Sequence, residues 1–337
     1  MIKEILPKLV EGKNLTREQA REAMKVIMEG KATPAQIGAF LTALRMKGET
    51  VEEITGFAEV MREKAVRIDI GKDIIVDTCG TGGDSSETFN ISTVTAFVVA
   101  GGGLTVAKHG NRSVSSKCGS ADVMEALGIN IQIPPPRMKE CLETIGIGFL
   151  FAPLYHLSMK YALPPRREMG IRTVFNILGP LTNPAGANIQ VMGVFSPHLT
   201  EKLAGVLMNL GSKQAYVVWG EKGYDEITTV GSTKISYFRE GKVETFYLHP
   251  EEVGIRRSRP EELKGGTPQE NAQLALKILK GERGAPRDIV LINSAACFVA
   301  SGKARDWREG INMAEESIDS GKALEKLQQL REFTTRV

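Results

Sequence analysis

Cysteine is scarce in this chain, and the little there is does not pair. Cys79, Cys118, Cys141 and Cys297 are the four in 337 residues. They stand far apart with no CxxC, which argues against a zinc ribbon and a disulfide framework. Cys79 and Cys118, which lie between Asp77 and Asp122, read as small packing residues rather than catalytic thiols. Long apolar runs are also missing. None approaches the roughly 18 residues a membrane span needs, and the first residues, MIKEILPKLVEG, lack a continuous apolar signal segment. A cytoplasmic location is the expectation. Charge of one sign is not in excess: 43 basic residues face 40 acidic ones, a net +3. That balance is too small to argue for nucleic acid. The densest basic cluster, Arg256-Arg257-Ser258-Arg259, reads as a solvated loop. No internal repeat or low-complexity segment is evident.

What the chain does have is a dense stretch from Asp77 to Asp122, DTCGTGGDSSETFNISTVTAFVVAGGGLTVAKHGNRSVSSKCGSAD. The β-branched run Ile74-Ile75-Val76 predicts a buried strand over Lys72 to Thr78. Gly80-Thr81-Gly82-Gly83-Asp84 follows as a turn whose glycines let successive N–H groups converge on an anion. Next, Asn90 or Ser92 can cap a helix that begins before the apolar run Val94 to Ala100, and free N–H groups at a helix start suit phosphate. A second short strand, Leu104 to Ala107, delivers Lys108-His109-Gly110-Asn111-Arg112-Ser113-Val114-Ser115-Ser116-Lys117. Two strands joined by a helix imply a parallel unit whose loops leave at the same carboxyl edge, where α/β folds bind ligands. Each device alone is an ordinary turn or cap. Their succession points to a ligand with more than one phosphate. The spacing is neither GxxxxGK[ST] nor GxGxxG. Nor does it show the paired carboxylates and TGxT-like loop of the common phosphoribosyltransferase fold.

The first 66 residues read as helices. Thr16 with Gln19, Thr33 with Gln36 and Thr50 with Glu53 each have capping-box spacing. Pro34 holds a favoured first position, and Gly48 follows the third helix. Ile37, Phe40, Leu41 and Leu44 make one apolar face. After residue 72, strand and helix signals alternate. Strands are expected at Gln190 to Phe195, Ala215 to Trp219 and Lys234 to Phe238, with an antiparallel stretch from Ile227 to Leu248 turning at Gly231 and Glu240-Gly241. Helices are expected at Pro197 to Leu210, Pro268 to Leu279 and over much of Arg287 to Leu330. The fold class is therefore α/β: a small N-terminal helical domain and a large domain with a central mixed, mainly parallel sheet flanked by helices.

GTGGD, TFNIST, KHGNRSVSSKCGSAD and the later RTVFNILGPLTNP (Arg172 to Pro184) resemble the anthranilate phosphoribosyltransferases of tryptophan biosynthesis. The resemblance covers almost the whole chain. It implies a helical domain over residues 1–69, a returning segment near 164–186, and an α/β domain over 70–163 and 187–337. It also implies a homodimer through the helical lobe. The implied substrates are 5-phosphoribosyl-1-diphosphate, bound with Mg²⁺, and anthranilate. Donor-binding positions then map to Gly80, Gly83, Asp84, Thr88, Asn90, Ile91, Ser92, Thr93, Lys108, His109, Gly110, Asn111, Arg112, Ser113, Val114, Ser115, Ser116 and Ser120. Anthranilate contacts map to Gly80, Asn111 and Arg166, and the metal ligands to Ser92, Asp225 and Glu226.

The chain departs from the family pattern in one place. The usual His-Pro-Ala-Met reads His156-Leu157-Ser158-Met159, and Ala-Pro-Val-Arg reads Leu163-Pro164-Pro165-Arg166. Arg166 survives within it. The reaction so implied is attack of the anthranilate amine on ribose C1 with loss of pyrophosphate. An aryl amine has a free lone pair at neutral pH, so no residue is nominated as a general base. His109 and His156 fit a channel or a structural role equally. Two other readings use related folds. A pyrimidine nucleoside phosphorylase is disfavoured by the intact KHGNR and Asp225-Glu226. A non-catalytic nucleic-acid-binding relative is disfavoured by the small net charge.

Overall fold

A computed structural model describes residues 1–83, 87–113 and 118–336. Four helices come first: α1 Ile2–Val10, α2 Arg17–Met28, α3 Pro34–Lys47 and α4 Val51–Lys64. The three expected capping boxes close α2, α3 and α4, each with both reciprocal bonds formed. Such caps contribute on the order of 1 kcal/mol apiece. Pro34 and Gly48 bracket α3 as their chemistry requires. Among the described residues, no helix is long and apolar enough to cross a membrane.

Among the described residues seven strands form one sheet: β1 Val76–Gly80, β2 Val106–Gly110, β3 Ile147–Phe151, β4 Ile189–Gly193, β5 Gln214–Gly220, β6 Thr233–Arg239 and β7 Lys242–Leu248. Their order is β3-β2-β1-β4-β5-β6-β7. The first five run parallel, and β6 and β7 return antiparallel. Glu240 and Gly241 both have positive φ at the β6–β7 turn, as a tight hairpin with right-handed strand twist needs. The sheet is mixed and mainly parallel, as its sequence pattern indicated.

Two strands start later than the apolar runs suggest. Asn188 accounts for the first case: its side chain accepts from the Ile75 N–H and its backbone N–H donates to the Ile75 carbonyl, so regular pairing begins at Val76. Pairing then runs on through Gly80, which lies opposite Gly193. In the same way β2 extends to Gly110, paired with Phe151. Lys108, His109 and Gly110 are therefore strand residues rather than loop residues. Strand β3 was not anticipated. Its sequence, IGFLF, is buried throughout and so has no polar alternation to reveal it.

Alternation along the central strands divides the interior. Ile189 and Val191 of β4 join a core with β1–β3 and the C-terminal helices, while Met192 and Val194 join a second core with α1–α4. Phe175, Ile177, Leu178 and Leu181, from the segment before β4, pack into that second core. Burying each such side chain is worth about 1.5–3 kcal/mol. Between β1 and β2 runs α5, Ile91–Gly101, with Ile91 and every residue from Thr93 onward buried. It is apolar nearly all round because helices Ala285–Ala300 and Lys322–Thr335 cover it against the sheet. Its start is thereby aimed at the carboxyl edge of β1.

Candidate active site at the carboxyl edge of the sheet

The unit β1–α5–β2 is parallel, so the glycine turn after β1, the start of α5 and the loop after β2 share one edge. Thr81 N–H donates to the Gly193 carbonyl at 2.9 Å, and Thr81 Oγ1 accepts from Phe195 N–H at 3.2 Å. Those bonds tie the turn to the end of β4. Gly83 adopts φ +77°, a left-handed conformation that favours glycine.

Asp225 and Glu226 arrive from the loop after β5. Asp225 Oδ2 accepts from Gly82 N–H at 3.2 Å, and Glu226 Oε1 accepts from Ser92 N–H at 3.2 Å. The glycine turn and the start of α5 are thus each capped by one member of the acidic pair. Space for the pair comes from glycine. A Cβ on Gly80 would lie 2.6 Å from Asp225 Oδ2, and one on Gly193 would lie 1.5 Å from the Asp225 carbonyl oxygen. The structure brings Ser92 and Glu226 together across 134 residues of chain, and Asp225, next to Glu226, meets the neighbouring glycine turn. Among the described residues no three His, Cys, Asp or Glu side chains gather as a metal cluster. Two carboxylates and a hydroxyl form an all-oxygen donor set. Such a set fits a hard divalent ion that takes its remaining ligands from substrate and water.

Lys108 is buried under the start of α5. Its ammonium donates to the Thr78 carbonyl at 2.5 Å and to Ser92 Oγ at 3.3 Å. Burial pulls its pKa below the ordinary lysine value, against the attraction of Asp77. Asp77 is fully buried and accepts from His109 N–H at 3.2 Å and from Asn183 Nδ2 at 2.8 Å. Burial raises its pKa to about 6, opposed first by the Lys108 charge. Asn183 also donates to the Ala107 carbonyl at 2.7 Å, so it ties the GPLTNP segment to both strands. Neither Asp77 nor Asn183 was marked as functional by the sequence, although both lie inside motifs that were.

Helix α5 starts differently from expectation. Asn90 is its N-cap residue but makes no side-chain capping bond. Its side chain instead donates to the Cys118 carbonyl and accepts from Asn271, linking the start of α5 and the segment after β2 to the helix Pro268–Leu279. Ile91 and Thr93 are buried, and the Thr93 hydroxyl has no hydrogen-bond partner among the described residues. Thr88 forms an isolated bridge with Lys264.

In the loop after β2, the Asn111 carbonyl accepts from Ala121 N–H and Ser120 Oγ, and Asn111 Oδ1 accepts from Arg112 N–H. Arg112 is paired with Asp122 and Glu125, which neutralise its charge. Ser113 N–H also points to Asp122. Gly110 packs against Ser120 and Phe149 with no room for a Cβ. Asp84, Val114, Ser115 and Ser116 lie outside the described residues.

On the far side of the edge, His109 and His156 face each other with ring centroids 5.0 Å apart. Both are buried, and both Nε2 atoms lack a partner among the described residues. Burial pushes His109 down to about 3 and His156 to about 4, so both imidazoles are neutral near pH 7. Arg166 lies on the helix Leu163–Met169, half-buried, with its guanidinium 5.0 Å over the Phe175 ring. No carboxylate pairs with it among the described residues, and burial lowers its pKa. Arg167, one residue on, is exposed. The altered segment has therefore kept one arginine turned inward.

This combination of sheet edge, carboxylate pair and helical lobe has a class. The a/b domain of the glycosyl transferase family matches residues 72–324, and that family's helical bundle domain matches residues 3–65. Within it, the anthranilate phosphoribosyltransferase of Acetivibrio thermocellus is 60% identical, covering 99% of this chain and 97% of its own. That of Pelotomaculum thermopropionicum is 58% identical over the same shares. The crystal structure of the Thermus thermophilus enzyme superposes with a TM-score of 0.93 at 43% identity, covering 98% of each chain. The Saccharomyces cerevisiae enzyme in complex with PRPP and Mg superposes with a TM-score of 0.90 at 29% identity, covering 100% of this chain and 98% of that one. The chain belongs to the anthranilate phosphoribosyltransferases.

Proposed function

We propose that this enzyme transfers the phosphoribosyl group of 5-phosphoribosyl-1-diphosphate to the amine of anthranilate, releasing pyrophosphate. The observation that carries the reading is the meeting of Gly82 and Ser92 N–H donors with Asp225 and Glu226 at one sheet edge. In this reading, the glycine turn and the start of α5 hold the diphosphate through backbone N–H groups. Lys108 to Gly110 at the end of β2, the residues that follow as far as Ser116, and Ser120 take up the rest of the donor. Ser92, Asp225 and Glu226 hold Mg²⁺, which when bound offsets the charge that develops on the leaving diphosphate. Lys108 acts from beneath, its ammonium set under Ser92. Arg166 takes the anthranilate carboxylate through its planar fork, with Gly80 and Asn111 beside the acceptor.

The anthranilate amine is nucleophilic as it stands. The residues around it need to orient it toward ribose C1 and exclude water rather than remove a proton first. Neutral His109 and His156 suit the wall of such a channel. The division into a helical lobe (1–69 with a segment near 164–186) and an α/β domain is part of this proposal. Phe175 to Leu181 packing with α1–α4 supports it. A homodimer through the helical lobe is supported by exposed Val10 on α1 and Met46 on α3, and sedimentation analysis tests it. Four buried free thiols fit a reducing cytoplasm. The decisive experiment for the activity is loss of anthranilate fluorescence. It should require both phosphoribosyl diphosphate and Mg²⁺; loss without the donor, or none with all three, rejects the proposal.

A further inference from the structure

The glycine turn is held by Arg172, the first residue of the RTVFNILGPLTNP stretch, to which no site role has been given. Arg172 Nη2 donates to the Gly83 carbonyl at 2.5 Å. Its guanidinium stacks over Phe195 with 4.7 Å from Cζ to the ring centroid. A Cβ on Gly83 would lie 2.7 Å from Nη2 and 2.9 Å from Cζ, so the guanidinium lies flush against the turn. Phe195 is itself bonded to the turn through Thr81. Arg172, Phe195 and Thr81 therefore form one brace around Thr81-Gly82-Gly83.

Two further facts give the brace a direction. Arg172 is exposed, and among the described residues no carboxylate pairs with it. It also sits just beyond Gly170, the left-handed cap that ends the Arg166 helix. Just after it, Thr173 N–H is bonded to Asn176 Oδ1 at 3.0 Å, which anchors the segment to the Phe175–Leu178 helix. The residue that clamps the donor turn is thus carried by the segment that carries the acceptor arginine.

We propose that Arg172 is a positioning residue. It couples the acceptor segment to the diphosphate turn, so that the turn reaches its binding conformation when that segment is docked. The inference rests on the reading of Gly80 to Gly83 as the diphosphate site. Arg172 acts through the Gly83 carbonyl and the Phe195 ring, not by touching a substrate. Arginine suits this because its planar group stacks and donates in one plane, which an ammonium cannot do.

The test uses the full-length enzyme with R172A, R172K, F195L and the R172A/F195L pair. Phosphoribosyl diphosphate with Mg²⁺ is titrated by calorimetry at low and high salt. R172A is expected to weaken donor binding about tenfold, as loss of one charged hydrogen bond and its stack implies. R172K should recover only a small part. F195L should act in the same direction, and the double variant should cost less than the product of the two, since both break one brace. The deficit should persist at high salt, where long-range attraction is screened.

Full rescue by lysine, or disappearance of the effect at high salt, would mean that Arg172 only supplies a field, and overturns the proposal. So does an unchanged donor affinity in R172A, or strict additivity with F195L. A wild-type enzyme that fails to bind the donor at all instead refutes the site reading beneath it. The two failures are therefore distinguishable.

Discussion

Replacing Asp225 by Asn together with Glu226 by Gln should move two measurements in opposite directions. Each carboxylate now accepts one of the N–H groups that a phosphate oxygen would need, Gly82 and Ser92, both at 3.2 Å. Without metal, a diphosphate must displace two charge-assisted bonds and sit beside two negative charges. The amide variants keep the shape and leave only neutral acceptors. The difference is about 1 kcal/mol per bond, so roughly 2 kcal/mol, or about 30-fold. Metal-free pyrophosphate should therefore bind the double variant about 30-fold more tightly than wild type, read by calorimetry in the presence of a chelator. Turnover with Mg²⁺ should fall on the order of 10²-fold or more, comparable to losing a strong electrostatic stabiliser. Circular dichroism should show the fold retained, because the pair is only half-buried in a loop. Near-normal turnover at limiting Mg²⁺ would refute the metal assignment. Metal-free pyrophosphate binding no tighter than in wild type would refute the idea that the carboxylates occupy the anion donors.

Three further outcomes are expected. Arg166→Ala should raise the Michaelis constant for anthranilate with donor affinity nearly unchanged, while Arg167→Ala does much less. Equal effects in steady-state kinetics would mean the altered segment has shifted register. Lys108→Met, which keeps most of the volume, should weaken donor binding by about 1.5–3 kcal/mol by removing the charge under Ser92, and unchanged affinity in calorimetry rejects that role. Stability should fall as pH drops from about 6.5 toward 4: His109 and His156 are held to about 3 and about 4, so the unfolded chain takes up protons the fold refuses, at up to about 1.4 kcal/mol per pH unit for each histidine. Asp77, raised to about 6, works oppositely between about 3.9 and 6 but is one group against two. Urea midpoints between pH 7 and 4.5 measure the slope, and His156→Gln should reduce it.

Much of the architecture could be read locally. Thr16, Thr33 and Thr50 each meet their partner three residues on, so the start of each helix is written in one short stretch. The β1–α5–β2 order and its shared edge follow from strand, helix and strand signals and from the handedness of parallel connections. Strand β3 escaped because a strand covered on both faces has no alternation. Asn90 was legible as a residue at a helix start, but its bonds to Cys118 and Asn271 were not. Those partners lie 28 and 181 residues away in the chain.

The sequence by itself determined the helix starts, the glycine turn after β1 and, through long ordered motifs, the family. These are properties of residues close in the chain. The tertiary structure alone decided which groups answer which. Gly82 meets Asp225 across 143 residues, Ser92 meets Glu226 across 134, and Arg172 reaches Gly83 across 89. Strand β4, lying between β1 and β5 in the sheet, sets the ends of β1 and β5 on either side of Gly193. Gly193 has no side chain, and that gap admits the Asp225 backbone to the edge. No local pattern encodes such a meeting, because it depends on strand order and on space left empty by a residue far away in the chain.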